Sequence, residues 1–375
     1  MKKGPPPKIL FIIPTLERGG SEKVLTTIVQ HIDLSKFDVT VVVVSRPGVY
    51  YDQLPNQVHK VLIGAHRVKW AALALMRTIR RANPDVVVSF NVNHLNLIVI
   101  PALLLIRFRG SFVTRESSVL SMVTAKKGKL RKFINALYRI LNQRATQVVA
   151  QSSFTARDLT ENFGCKPSQI VVINNPVNYR QIHKDTAKNS SSLLPSDKVN
   201  LLAVGRLSPV KGYDMLIKGF ALLPDNYYLT ILGGETYENP EYAHQLYQLV
   251  ESLGLNARVN FADFQPNPYP YMQKTDFLTI TSHYEGFPNV AVEAMALGTP
   301  VIAFNSPGGH NDLIKDGING WLIPFGDLEA WATTIIQASG ATIDRSAMQQ
   351  HIRNTYDVPY VVQSYELLLS KLVDH

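Results

Sequence analysis

The chain has 375 residues, 46% hydrophobic and 18% charged, which is too long for one ordinary core, suits two domains and excludes a disordered or fibrous chain. A single cysteine, Cys165, excludes a disulfide framework and a cysteine-rich metal site, and fits a reducing compartment. The formal charge of +9 is uneven: residues 1–180 carry 26 Lys/Arg against 9 Asp/Glu, and residues 181–375 carry 12 against 20, so the first half is expected to meet an anionic surface.

From the N-terminus, Pro5-Pro6-Pro7 interrupts what would otherwise be a basic leader, so no signal peptide is read. Lys8–Ile13 is a short apolar strand. Residues 21–32 then place Val24, Leu25, Ile28, Val29 and Ile32 on one helical face. Val39–Val44 is a β-branched run suited to a buried parallel strand. A helix over 70–82 stops before Asn83-Pro84, strand 85–90 follows, and an apolar helix runs to about Ile106. That apolar run, about a dozen residues, is too short to span a bilayer. Strand 111–114, helix 128–144, strand 147–150, helix 153–163 and strand 170–173 complete an alternating series, hence a doubly wound parallel sheet. Residues 184–198 are polar and serine-rich and read as part of a linker, placed at 181–198. A second series then begins: strands 199–204, 228–232, 258–261, 276–280 and 300–304, with helices at 215–223, 240–253, 269–274 and 289–297. The expected division is a first domain at 1–180, a second at 199–357 and a C-terminal helix at 358–375.

Three segments carry chemistry. Gly19-Gly20, between the first strand and its helix, would let a phosphate approach the free N–H groups of a helix start. It is not the dinucleotide pattern G-x-G-x-x-G, and a plain strand-to-helix turn is the competing reading. Gly205 to Gly212 sets two cations, Arg206 and Lys211, at the carboxyl end of a parallel strand, where such sheets bind ligands. Arginine grips phosphate oxygens in pairs and lysine acts as a point charge; a solvated basic loop is the alternative. Tyr284 to Gly298 is the strongest signal. Glu285 ends a strand, Gly286 allows an unusual turn, and Phe287-Pro288-Asn289-Val290 leads into a helix carrying Glu293 among small apolar residues. A carboxylate there suits vicinal hydroxyls, as in a ribose; an ordinary amphipathic helix with one exposed Glu is the alternative.

Together these residues resemble family 4 retaining glycosyltransferases of the GT-B fold, from Lys8 to the C-terminus. The likeness rests on Glu285…Glu293, an E-x7-E pair, joined to G-R-x-x-x-x-K at Gly205–Lys211. The run Phe264 to Tyr271 adds a similarity to bacterial transferases that build surface glycans on lipid carriers. The resemblance implies two facing Rossmann-like domains with a C-terminal helix returning to the first. It implies that Arg206 and Lys211 hold the donor diphosphate, Glu285 the transferred sugar and Glu293 the ribose, with Gly19-Gly20 closing over the phosphates and Gly308-Gly309 a second glycine loop. His94 falls where related enzymes place a histidine near the sugar, and a hydrogen-bonded loop histidine is the alternative; Arg115 and Glu116 could line the same cleft. Asp263 stands where the family commonly has glycine, near the base-binding loop.

The expected reaction moves a hexose or N-acetylhexosamine from a nucleotide sugar, of UDP type, to a lipid-linked glycan acceptor. No carboxylate stands out as a nucleophile, so retention is assigned to front-face displacement. No D-x-D occurs, so neither metal nor other cofactor is expected and Arg206 and Lys211 replace the ion. Five cations, Lys126, Lys127, Lys129, Arg131 and Lys132, precede Phe133, Leu137 and Ile140 on one helical face. They predict peripheral binding to the cytoplasmic face of an anionic inner membrane, each cation adding about 1 kcal/mol near such a leaflet; a domain helix whose apolar side packs on the sheet is the competing reading. Competing readings are a GT-B epimerase or phosphorylase, and a basic nucleic-acid-binding protein. The last lacks the aromatic or helix-turn-helix signatures it needs and leaves Glu285 and Glu293 unexplained.

Overall fold

The computed structural model describes residues 4–17, 19–66, 70–91, 95–125, 128–186, 194–235 and 239–373. The chain forms two compact units, Met1–Pro176 with Val358–His375, and Val177–Asp357. Each is built on one sheet whose strands all run parallel. A parallel sheet is covered on both faces, so its strands are apolar on both. In β1 (Lys8–Thr15), Ile9, Phe11 and Ile13 enter one core while Leu10 and Ile12 enter the other.

The first sheet continues with β2 (Asp38–Arg46), β3 (His59–Leu62), β4 (Val86–Asn91), β5 (Ser111–Glu116), β6 (Gln147–Ala150) and β7 (Ile170–Val172), in the order β3-β2-β1-β4-β5-β6-β7. The second contains β8 (Val199–Val204), β9 (Tyr227–Leu232), β10 (Val259–Phe261), β11 (Phe277–Ile280), β12 (Val301–Phe304) and β13 (Gly320–Ile323), in the order β10-β9-β8-β11-β12-β13. Both orders reverse direction beside their first strand, at β1/β4 and at β8/β11. Loops leaving the carboxyl ends of such a pair diverge and open a crevice, the usual ligand position in this architecture. The Glu285 and Lys211 loops leave β11 and β8.

The inner strands lie where their β-branched runs predicted. The sheet-edge strands β3 and β13 carry weaker patterns and were not proposed, nor were the helices Leu328–Ala338 and Arg345–Tyr356. The expected linker is in part a helix, Tyr179–Thr186, that belongs to the second unit. Its Ile182 is buried in that core and a His183 ring nitrogen lies 3.0 Å from the Ala296 carbonyl. Residues 187–193 lie outside the described residues. The units therefore divide at Pro176/Val177 rather than at 180.

The C-terminal helix Val358–Val373 returns to the first unit, as the resemblance implied. Val361, Val362, Tyr365, Leu369 and Leu372 are buried in the core that holds Ile9, Phe11 and Val88. No helix among the described residues is long and apolar enough to cross a membrane.

Candidate active site

At the β8/β11 crevice, two loops are joined by their backbones. The segment after β8 passes Gly205 (φ 157°) into a 3-10 turn, Pro209–Lys211, ended by Gly212 (φ 62°). A β-carbon on Gly212 would collide with the Thr281 carbonyl oxygen, so a left-handed backbone and close approach both require glycine there. Thr281 Oγ1 donates to the Lys211 carbonyl at 3.0 Å, and the His283 N–H donates to the Val210 carbonyl at 2.8 Å. Lys211 is thereby fixed opposite the loop that carries Glu285.

Glu285 is held by its main chain. Its N–H donates to the Pro307 carbonyl at 3.0 Å, its carbonyl accepts the Gly309 N–H at 3.3 Å, and it forms a parallel bridge with Gly308. Gly308 sits at φ 145°, and a β-carbon there would strike the Glu285 carbonyl oxygen. The Glu285 carboxylate uses one oxygen for both partners: Oε1 accepts from Lys211 Nζ at 2.6 Å and from Ser282 Oγ at 2.8 Å. Oε2 has no hydrogen bond among the described residues. The ion pair is partly buried, with Lys211 24% and Glu285 18% exposed, so solvent screens it less than a surface pair. Burial pushes the carboxyl up, but the Lys211 ammonium, the hydrogen bonds from Lys211 and Ser282, and nearby His310 hold it below its usual value. Burial, and then the Glu285 charge, push the phenols of Tyr213 and Tyr284 up, so both stay neutral hydrogen-bonding groups.

Arg206 is exposed at the start of the same loop and makes no ion pair or hydrogen bond among the described residues. The helix Asn289–Ala296 begins after Pro288, with Asn289 and Val290 half-buried. Glu293 is 9% exposed within it, a carboxylate held among small residues. Gly286 does not take the unusual turn expected of it: Gly308 and Gly212 carry the positive φ angles here. Phe287 is 5% exposed and packs on Tyr356, ring centroids 5.8 Å apart, so its side chain anchors the loop from below. Asp263 occupies the left-handed region at φ 49°, which explains why glycine suits that position, and its carbonyl accepts the Gly233 N–H at 2.9 Å.

In the first unit, Gly19 caps the helix Gly20–His31 in an extended conformation. Glu22 lies in the first turn, its carboxylate beside Gly19 and accepting from Thr15 Oγ1 at 3.2 Å, so a phosphate at Gly19-Gly20 requires Glu22 to turn aside. Arg115 departs from the expected cleft-lining place. It is 0% exposed and donates from Nε to Tyr365 Oη (3.1 Å), from Nη1 to Ser117 Oγ (3.0 Å) and from Nη2 to Asn175 Oδ1, with its guanidinium 4.8 Å from the Phe90 ring centre. Glu116, 2% exposed, accepts from Thr114 Oγ1 and Asn96 Nδ2. Both are committed to a buried network because β5 is an inner strand, covered on both faces. His94, Lys126 and Lys127 lie outside the described residues, as does the Lys129 side chain. Arg131 and Lys132 are exposed and Phe133 is 66% exposed, whereas Leu137 half-packs against the core. His310, 0% exposed beside Glu285, was not singled out in the sequence; its place directly after Gly308-Gly309 was the available signal.

Two parallel sheets of this order, each with a switch point at the carboxyl ends of its strands, are the Rossmann-like architecture of the GT-B fold. The chain belongs to the family 4 glycosyltransferases: residues 18–181 match the Glycosyltransferase Family 4 profile and residues 184–355 the profile of Glycosyl transferases group 1. It is 26% identical, over 84% of its length and 86% of the other, to the N-acetylgalactosamine-N,N'-diacetylbacillosaminyl-diphospho-undecaprenol 4-alpha-N-acetylgalactosaminyltransferase of Campylobacter jejuni. It is 35% identical to the lipopolysaccharide core biosynthesis glycosyltransferase LpsE of Rhizobium meliloti, over 38% of this chain and 40% of that one. The fold is similar to HepE of Anabaena, crystallised with UDP and glucose, at a TM-score of 0.81 and 23% identity over 96% and 99% of the two chains.

Proposed function

We propose that the chain transfers a hexose or N-acetylhexosamine from a UDP-sugar to a lipid-linked glycan, with retention at the anomeric carbon. The observation that carries this is the Glu285 carboxylate, with Oε1 fixed by Lys211 and Ser282 and Oε2 left for a sugar hydroxyl, beside the exposed cation Arg206. Arg206 and Lys211 would grip the diphosphate and Glu293 the ribose. The bond from the acceptor oxygen to the anomeric carbon forms on the face from which the diphosphate departs, and the acceptor proton passes to a leaving phosphate oxygen. The chain's part is then to orient the donor and stabilise the leaving charge. With two cations in that role and no D-x-D, transfer is metal-independent and survives EDTA; full loss restored by Mg²⁺ would overturn that assignment.

The Campylobacter relative acts on a diphospho-undecaprenol substrate, which supports a lipid-linked acceptor here, and the UDP held by HepE supports the nucleotide. Such an acceptor stays in its bilayer, so the enzyme must come to an anionic leaflet, here assigned to the cytoplasmic face. The helices Ala72–Ala82, Asn96–Leu105 and Arg131–Asn142 cover one face of the first sheet. They and their flanks expose Leu73, Leu105 and Phe133 together with Arg107, Arg131 and Lys132. A thermal-shift series with UDP-, GDP- and ADP-sugars tests the donor, since a ligand that binds only the folded state raises its melting temperature. Stabilisation by UDP-sugars is expected, and stabilisation by another nucleotide alone would overturn the UDP assignment. Epimerisation or phosphorolysis of the donor without acceptor would favour the non-transferase alternative.

A further inference from the structure

His310 is 0% exposed and follows the two glycines whose backbone is bridged to Glu285. Neither ring nitrogen has a well-formed hydrogen bond among the described residues, although the Ser306 carbonyl lies nearby. A buried imidazole without a partner is uncommon and calls for a role. Two charged groups bear on it, Glu285 from the loop after β11 and Lys211 from the loop after β8, and Asp312 lies on its own helical turn. Burial and Lys211 push the imidazole pKa down while Glu285 and the Ser306 carbonyl pull it up, and the net direction is down, so the ring is neutral near pH 7.

We infer that His310 is a positioning residue that takes over Glu285 when the donor diphosphate draws Lys211 away. This rests on the reading that Lys211 holds that diphosphate. Lys211 carries one charge, and its contact with Glu285 occupies the oxygen next to Ser282. Two phosphate charges compete for the same ammonium, and a partly buried carboxylate that loses its counter-charge is destabilised. His310 is the adjacent group able to replace it. As Lys211 withdraws, a cation that held the imidazole neutral is removed and negative charge is added nearby. The ring then takes one proton from solvent onto a nitrogen, and imidazolium faces carboxylate. Glu285 keeps its orientation, and Oε2 stays aimed at the sugar. The His310 pKa is therefore higher in the donor complex than in the chain alone. Donor binding takes up protons between those two values, and donor affinity falls as pH rises through that window.

Isothermal titration calorimetry with UDP-glucose, UDP-galactose, UDP-N-acetylglucosamine and UDP-N-acetylgalactosamine, in buffers of different ionisation enthalpy at about pH 7, reads this directly. The diphosphate diester of a UDP-sugar does not titrate in that range, so uptake reports the protein. A fractional proton taken up per donor bound is expected for the wild type. His310→Gln should abolish it and flatten the pH dependence of affinity. His283→Asn, which removes an exposed imidazole two residues from Glu285, should keep it. Donor binding without uptake, or equal uptake in His310→Gln, overturns the inference and leaves the transfer reading standing. Failure of all four UDP-sugars to bind the wild type overturns both. Should His310→Gln not fold, imidazole ¹⁵N shifts of the wild type with and without donor decide the matter: one buried ring becoming protonated supports the handover, and no change overturns it.

Discussion

Glu285 divides its work between two oxygens, and the division predicts how its variants fail. Glu285→Gln keeps the shape and can still meet Ser282, but it removes the counter-charge of Lys211 and weakens the acceptor at Oε2. Turnover should fall by about 10²–10³-fold, the range for loss of one preorganised polar contact, with the fold retained in circular dichroism. Near-normal turnover would remove Glu285 from the mechanism. Because its carboxyl is held below the ordinary value, its contribution to stability is complete above that value and is lost as pH falls through the folded one. Acid unfolding of Glu285→Gln should accordingly lack that portion of the wild-type pH dependence. Gly308→Ala acts on the same residue through the backbone. Its β-carbon would strike the Glu285 carbonyl oxygen, and φ 145° disfavours alanine. A displacement of Glu285 by about an ångström should cost about 10²-fold in kcat. Unchanged kcat in that variant would show that the bridge is not needed.

Among the elements, the C-terminal helix Val358–Val373 is joined to the first sheet by apolar packing and by one buried polar node. Tyr365 accepts from Arg115 Nε, Ser111 Oγ donates to the Leu372 carbonyl at 3.1 Å, and Glu366 accepts the Asp33 N–H at 2.9 Å. Truncation before Tyr360 strips Val361, Val362, Tyr365 and Leu369 from that core and leaves the Arg115 guanidinium without one partner. The melting transition of the first unit should fall markedly in calorimetry. Arg115→Met should cost about 2–3 kcal/mol by leaving Asn175 and Tyr365 buried with fewer partners, a drop of several degrees for a unit of this size. A truncated chain that melts like the wild type would show that the helix adds nothing to the first unit, and an unchanged Arg115→Met chain would show that the polar clamp adds nothing.

For the whole molecule, charge is the governing quantity. Residues 1–180 hold 26 Lys/Arg against 9 Asp/Glu, and the exposed Phe133 lies beside Arg131 and Lys132. Neutralising Lys126, Lys127, Lys129, Arg131 and Lys132 together should release the protein from phosphatidylserine-containing vesicles in co-sedimentation. Wild-type binding should weaken with added salt, because screening contracts the field to about 8 Å at physiological ionic strength. The same variant should slow transfer to a lipid-linked acceptor far more than hydrolysis of the donor. Equal vesicle binding by the two proteins, or none by either, would favour a soluble acceptor.

The amino-acid sequence by itself determined the class of fold and singled out the charged residues proposed for the donor side. Apolar β-branched runs mark inner parallel strands because both faces must be buried, and the spacing of Arg206, Lys211, Glu285 and Glu293 is local enough to read along the chain. Edge strands β3 and β13 carry a weaker version of that signal because only one neighbour pairs with them. Pairing across loops was decided only by the tertiary structure. Lys211 and Glu285 stand 74 residues apart and meet through the β8/β11 reversal. Arg115 and Tyr365, 250 residues apart, meet because the last helix returns to the first sheet, and that contact turns an expected cleft arginine into a buried clamp. His310 became visible in the same way. Its burial and its place beside Glu285 follow from the close approach of the Gly308 backbone, which sequence order does not record.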